Sequence, residues 1–480
     1  MGNGSLQRPS IVPESAWNDA GAEARACLVE LSRRLGMNSS NSSMPPSSDG
    51  PGDRNADSGS QDDDGNKPTA ADKADIKKSG GQPGHPRHER PLIPTDECDE
   101  VQRIRPDQCP CGRCLDGVCE QPEHPPVRQQ VVDLPPVTPI VTEYQRLRLK
   151  CPDCGRVVLA QRPAGVPPGG FGPGVITVVT MLGGMCRLSQ RLTVVLLDNL
   201  FGLTVSAGMI TRLRNIGQQA LEPVHSDIAR AVQTSDTIHA DETGWIEGTT
   251  KAWLWAAVAP CATLFLIRLA RTGAVARELI GGDFKGIVIT DRYTSYHWIA
   301  QTLRQFCWAH LLRDFQAMID IGGEAGEIGK RLKMAGRELI HQWKKWEAGK
   351  ITHETFRRHA NWIRNEFQST LIDGLTCDHP KTEGVCSELL KHFDSLWTFV
   401  KHEHVEPTNN RAERAVRHGV IWRKLSYGTA SASGSRYVET ILSVIATCKQ
   451  NDINPFDFVA KAVKAKIQNQ KTPKLNFKIP

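Results

Sequence analysis

Two aspartates stand at the ends of short apolar runs. Asp241 closes Thr237-Ile-His-Ala-Asp241, and Asp291 closes Gly286-Ile-Val-Ile-Thr-Asp291. Carboxylates on such buried, rigid supports are costly to leave as unpaired charges. A divalent cation removes that cost. Two hard cations about 3.5–4 Å apart, held by carboxylates, activate a nucleophile and stabilise the leaving oxygen of a phosphoryl transfer. Such a centre needs a third carboxylate. The run Pro407-Thr-Asn-Asn-Arg-Ala-Glu413-Arg-Ala-Val-Arg417 supplies Glu413, on a helix that Thr408 or Asn409 can cap. Each acid also has an ordinary reading when taken singly. Asp241 and Asp291 can cap turns at strand ends. Glu413 can pair with Arg417 one turn away on a solvated face, worth only about 0.3–0.5 kcal/mol.

The cysteines offer a second chemistry. Seven of the 14 lie between Cys98 and Cys154. Cys151-Pro-Asp-Cys154-Gly is a Cys-x2-Cys knuckle, and Cys111-Gly-Arg-Cys114 offers another, with Cys109 and Cys119 as rival ligands. Two knuckles on facing turns give zinc four thiolates in tetrahedral arrangement. The expected structural zinc site is therefore Cys111, Cys114, Cys151 and Cys154, with Cys109-Pro-Cys111-Gly as the alternative first pair.

These residues need elements to hold them. Trp17–Leu35 has apolar residues at helical spacing, whereas residues 37–90 are nearly free of large apolar side chains and read as a disordered linker. Residues 91–170 form the zinc-binding module, with strand-like pieces such as VRQQVVDL and YQRLRLK. Residues 171–235 read as helices, with Ser189 and Ser206 as N-caps. Over 236–320 the pattern turns to strands at 237–241, 252–258, 262–267 and 286–290, the middle pair joined as a hairpin around Pro260. Helical periodicity returns over 321–400. Residues 401–450 form a closing helical piece carrying the third acid, and 451–480 a basic tail. The fold class expected is α/β.

Composition narrows the options further. Lys plus Arg is 59 and Asp plus Glu is 53, a formal charge of +6. Beyond Asp457 there is no acid, and six lysines carry the whole excess. The longest uncharged apolar stretch, Ala252–Ile267, is shorter than the roughly 20 residues a bilayer span needs. A soluble, intracellular protein is expected, and in a reducing compartment its cysteines point to metal or core packing rather than disulfides.

Taken together, these segments resemble the insertion-sequence-66 family of bacterial DDE transposases. The resemblance rests on LSRRLGMNSSNSSMPPSSDG and GGQPGH near the N-terminus, on the cysteine knuckles, and on HADET around Asp241. It continues through TDRYTSY around Asp291, CWAHLLRDF at 307–315, PTNNRAERAVR around Glu413 and SVIATCKQNDINPFDF at 443–458. The first knuckle reads CPCGRC where the family has Cys-Pro-x-Cys-Gly, and QDDDGNK departs from the basic stretch common there.

The resemblance implies a ribonuclease-H-like core in which Asp241, Asp291 and Glu413 bind two Mg²⁺ (or Mn²⁺), interrupted by a helical insertion between Asp291 and Glu413. It implies strand cleavage at transposon ends followed by attack of the freed 3′-OH on target DNA, with no covalent protein–DNA intermediate. His310, in Cys307-x2-His310, would position a phosphate or the acids. Arg411, Arg414, Arg417, Arg423 and Lys424 would contact phosphates, giving affinity and salt dependence without sequence information. Trp245, Trp253, Trp255 and Trp308 read as core, with Trp245 close enough to Asp241 to reach a displaced base. The partners implied are double-stranded DNA, further copies of the chain and accessory proteins of the same element, at the nucleoid of a bacterial cytoplasm. The competing readings are a catalytically silent transposase-derived DNA-binding protein and a zinc-ribbon regulator.

Overall fold

The computed structural model describes residues 91–119 and 125–477. The helix expected over Trp17–Leu35 and the linker over 37–90 lie outside them. Within the described residues, those up to Thr138 belong to one compact unit and those from Pro139 onward to another.

Among its described residues, the first unit has little regular structure: a 3-10 turn at Thr95–Glu97 and an isolated antiparallel bridge between Gln108 and Cys114. VRQQVVDL at 127–134 is not a strand. Its alternation is strand-like, but no neighbouring segment pairs with it among the described residues, and an extended chain without a partner leaves its ladder groups to water.

The second unit opens with a small hairpin, β1 (Arg148–Lys150) against β2 (Val157–Leu159), with Leu149 opposite Val158. Only the end of YQRLRLK is therefore a strand. Three helices follow: α1 (Pro173–Gly184), α2 (Gln190–Phe201) and α3 (Ala207–Gln233). Ser189 and Ser206 cap the last two as expected, each side chain accepting a backbone N–H at 3.2 Å. Along α3, Ile210, Leu213, Gly217, Leu221, Val224, Ile228 and Val232 are buried, the three-and-four spacing of an apolar stripe.

The main sheet has five strands: β3 (Thr237–Glu247), β4 (Thr250–Val258), β5 (Thr263–Arg268), β6 (Ile287–Thr290) and β7 (Arg304–Phe306). Their spatial order is β5-β4-β3-β6-β7. The first three are antiparallel, and β6 and β7 run parallel to β3. Ala259 N–H to Ala262 O at 2.8 Å closes the hairpin expected around Pro260. The short strand Arg304–Phe306 has no run long enough to announce itself in sequence. α4 (Gly273–Ile280) bridges β5 and β6.

After β7 the chain enters the helical block: α5 (Trp308–Ile321), α6 (Gly323–Glu347), α7 (His353–Asp373), α8 (Pro380–Lys391) and the single turn α9 (Thr398–Lys401). It has its own core, with Phe306, Trp308, Phe315, Phe356, Phe367, Trp397 and Phe399 among its members. The chain then returns to the sheet through α10 (Asn410–Ser426) and α11 (Ala432–Gln450). The sheet, α1, α3 and α11 share a second core. The lysine-rich end is not an extended tail at its start: α12 (Pro455–Ile467) buries Phe458, Val459, Ala462 and Val463 against that core. Among the described residues no helix is long and apolar enough to cross a membrane.

Candidate active site

Strand register brings the two aspartates level. Thr237 pairs with Ile287, Ile238 with Val288 and His239 with Ile289, a constant offset of 50 (287 − 237). The same offset sets Asp241 beside Asp291. Asp291 directly follows β6 as expected, whereas Asp241, expected to close its strand, lies within β3, which pairs with β4 on to Glu247. Each carboxylate already accepts a backbone N–H at 2.9 Å, Asp241 from Glu242 and Asp291 from Tyr293. Burial pushes Asp241 well above its ordinary value of 3.8, and the negative charges of Glu242, Asp291 and Glu413 push the same way. The strand end is thus a place where negative charge accumulates without enough cations from the chain.

Glu413 reaches this corner from the first turn of α10. Asn409, at the N-cap, makes no side-chain cap bond there. Instead its side-chain amide donates to Ala240 O on β3 at 2.7 Å, and its backbone N–H donates to Cys307 Sγ at 3.1 Å. Trp308 N–H donates to Pro407 O at 2.9 Å. The HADET, CWAH and PTNN segments are therefore tied together around one buried asparagine. Opposite Glu413, His310 Nδ1 lies 3.3 Å from Glu413 Oε1 without hydrogen-bond geometry, and an Arg313 nitrogen lies 4.0 Å from the same oxygen. Burial and the Arg313 charge lower His310 below its ordinary value, so it is a neutral imidazole at neutral pH. The Glu413–Arg417 pair of the solvated-face reading is not formed; the partners of Glu413 come from α5.

Among the described residues, one group of metal-ligand atoms lies within 4.8 Å of one another: Cys307, His310 and Glu413. Cys307 is buried and its thiol is pushed up to about 12, chiefly by burial, so it sits there as a neutral thiol. The three acids are brought to one corner without being drawn that close.

A network that sequence reasoning missed lies behind the aspartates. Glu242 is buried and accepts from Arg271 Nε and Nη2 at 2.9 and 2.7 Å and from Tyr296 Oη at 2.6 Å. The Arg271 guanidinium is sandwiched between the rings of Trp253 and Tyr293, 4.6 and 3.6 Å from their centroids. Its carbonyl accepts from Tyr293 Oη at 3.2 Å and Ser295 Oγ at 3.4 Å. Arg304, buried on β7, donates to the Asp291 and Tyr293 carbonyls. The turn carrying Asp291 is thus fastened from both sides. The signal available in sequence was the second acid of Asp241-Glu242, on the strand position whose side chain faces away from Asp241.

The basic residues separate into two kinds. Arg411 pairs with Glu406, its Nε at 2.7 Å, and Arg423 donates to Gly244 O, joining α10 to β3. Arg414, Arg417 and Lys424 are exposed. Trp245 does not reach toward a base: it is 1% exposed and donates through Nε1 to Thr429 Oγ1 at 3.2 Å. Trp255 and Trp308 are buried as expected, and Trp253 is partly buried against the same core.

The two cysteine turns have one backbone pattern. Cys151 N–H donates to Arg156 O and Gly155 N–H to Cys151 O, at 2.8 and 3.0 Å. Cys109 N–H donates to Arg113 O and Gly112 N–H to Cys109 O, at 2.9 and 2.8 Å. Gly112 and Gly155 both have positive φ, +89° and +69°. The first turn repeats the second with one residue removed, and it is closed on Cys109, with Cys111 inside it. Backbone N–H bonds, and then the neighbouring thiol, lower Cys111 (beside Cys109) and Cys151 (beside Cys154) below the ordinary 9.0. The two turns belong to different compact units.

The sequence is similar to those of known proteins. A model of a family of unknown function matches residues 14–91. The chain is similar to uncharacterized protein y4hP of Sinorhizobium fredii, 24% identical over 433 residues covering 80% of this chain and 75% of that one. It is also similar to uncharacterized protein y4qI of the same organism, 24% identical over 299 residues, 55% of this chain and 53% of that one. The model of the IS66 transposase family matches residues 189–437, running from the cap of α2 through all three acids to the start of α11. The chain belongs to the IS66 family of transposases.

Proposed function

We propose that the chain cuts and rejoins DNA at the ends of a bacterial insertion sequence, using Asp241, Asp291 and Glu413 to hold two Mg²⁺ or Mn²⁺ ions. The observation that carries this reading is the convergence of three acids, one within β3, one just past β6 and one on a helix pinned to β3 by Asn409. The donor chemistry fits: carboxylate oxygens suit hard divalent cations, and the mutual repulsion around Asp241 is what such ions would relieve. The mixed five-stranded sheet, with the helical block entering between the second and third acids, supports a ribonuclease-H-like reading of the core.

When bound, the divalent cations would supply charge neutralisation and activation of the attacking oxygen, first of water and then of the 3′-OH. The residues of the chain do the holding. Asp241 and Asp291 present carboxylates from a fixed register. Glu413 faces His310 and Arg313, and neutral His310 keeps a ring nitrogen available to a phosphate oxygen. Arg414, Arg417 and Lys424 take the DNA phosphates, while Arg411 and Arg423 are engaged by Glu406 and Gly244. The cysteine turns at 109–112 and 151–155 each offer thiols of the kind that structural zinc takes. The DNA partner is duplex, bound by more than one copy of the chain.

The test is nicking of supercoiled DNA carrying the element's ends with Mg²⁺. Asp241→Ala, Asp291→Ala and Glu413→Ala should each abolish nicking and leave end binding in place, because ligands of one centre act as a unit. Calcium should support binding without nicking. Near-normal nicking by any one variant removes that residue from the centre.

A further inference from the structure

The end of α10 holds a tyrosine in a conformation that tyrosine disfavours. Tyr427, its C-cap, has φ +59° and ψ +6°, the left-handed region usually given to glycine or asparagine. Among the described residues, the other non-glycine positions with positive φ are Arg187, Asp452 and Asn469. An aspartate or asparagine there is ordinary, whereas a bulky aromatic is an outlier. The turn cannot relax easily, because Thr429, two residues on, is fastened to the β3–β4 hairpin. Thr429 N–H donates to Ile246 O at 2.9 Å and Gly248 N–H to Thr429 O at 2.7 Å. A Cβ on Gly428 would lie 2.1 Å from Ile246 O, so only glycine allows the turn to sit this close.

Despite that backbone cost, the ring makes no use of the core: Tyr427 is 79% exposed. Its surroundings are specific. At about 100° per residue, Arg414, Arg417, Ile421, Lys424 and Leu425 fall within about 100° of one another around α10. All five are exposed. The sole acid of the helix is Glu413, at the other end. The face therefore mixes three cations with exposed aliphatic groups and ends on a rigidly presented aromatic ring. Cations alone suffice for phosphates. An open ring face adds something a paired, stacked duplex does not need: a platform for a base whose own face is free.

We propose that Tyr427 is a stacking platform for an unpaired nucleobase of the DNA strand that tracks along α10. The proposal rests on the DNA-processing reading above. Tyr427 is 14 residues beyond Glu413, about 21 Å along the helix, the rise of about six nucleotides of one strand. Strained backbone is retained where function requires it, and here it aims the ring outward from a fixed support.

The experiment exploits that strain. Fluorescence anisotropy is measured on the full chain with a labelled duplex and with the same duplex interrupted by a short unpaired thymine tract. Tyr427→Gly relieves the left-handed strain, so its melting temperature should equal or exceed that of the wild type by about 2 °C. Its affinity for the interrupted duplex should nonetheless fall about 10-fold, with affinity for the intact duplex unchanged. Tyr427→Trp, which keeps an aromatic face, should bind both as the wild type does. Unchanged binding of the interrupted duplex by Tyr427→Gly overturns the proposal, as does an equal loss on both DNAs or a loss in Tyr427→Trp. A change of oligomeric state in DNA-free Tyr427→Gly would assign the face to a second copy of the chain and also overturn it. Wild-type protein that binds neither DNA would sink the DNA-processing reading itself.

Discussion

The side-chain amide of Asn409 donates to the carbonyl of Ala240 at 2.7 Å, so the helix carrying Glu413 is fastened to the residue that precedes Asp241. Both residues are buried. Replacing Asn409 with Ala should leave that carbonyl unsatisfied and cost about 1–3 kcal/mol of stability. Because the same bond sets the helix position, nicking should fall by roughly 100-fold. Urea unfolding read alongside a nicking assay checks both. A stable variant with full activity would show that the tie is dispensable.

Asp241 is held above its ordinary value of 3.8 by burial and by Glu242, Asp291 and Glu413. Its folded value exceeds its unfolded one, so the native state binds the proton more tightly. The stability this gives is fully present below 3.8 and is lost as pH rises through the raised folded value. Asp241→Asn removes the titration. In the presence of a chelator, its melting temperature should therefore exceed that of the wild type increasingly as pH rises, and saturating Mg²⁺ should close the gap. Parallel melting curves across the pH range would contradict this.

Glu242 and Arg271 form a buried pair behind the site, their side chains 1% and 29% exposed. Breaking it with Glu242→Ala should cost about 3–5 kcal/mol, since it leaves the guanidinium uncompensated. Replacing both together with Glu242→Leu and Arg271→Met should recover most of that stability. Activity should not return with it, because the Tyr293–Asp291 turn loses its cation. Recovery of nicking in the double variant would show that the pair serves stability alone.

The repeated turn at Cys109 and Cys151 makes a chemical prediction. Purified protein should contain zinc, and Cys109→Ser, Cys111→Ser, Cys151→Ser and Cys154→Ser should each lower its content. Cys114→Ser and Cys119→Ser should retain it. Elemental analysis decides the matter, and zinc lost from Cys114→Ser would restore the Cys-x2-Cys reading of the first knuckle.

Three carboxylates, two of them following apolar runs and one opening a basic helix, could be read from local pattern, because burial periodicity and flanking residue types are local properties; that β3 continues past Asp241 to Glu247 could not. The helical block between Asp291 and Glu413 was legible for the same reason, as were the serine caps at 189 and 206. The resemblance to the transposase family rested on segments whose order along the chain is itself sequence. What sequence could not decide was which side chains meet. Asn409 reads as a helix cap, yet it bonds to Ala240, 169 residues away. Arg423 reads as a phosphate contact, yet it donates to Gly244, 179 residues away. Trp245 reads as core, close enough to Asp241 to reach a displaced base; the folded chain buries it and bonds its indole to Thr429, 184 residues away. Cysteine spacing alone left two first pairs open, and the backbone bonds that repeat the Cys151 turn at Cys109 are visible only in the folded chain. The positive φ of Tyr427 comes from a turn clamped between a helix end and a distant hairpin. Each of these depends on contacts between segments far apart in the chain, which only the packed structure brings together.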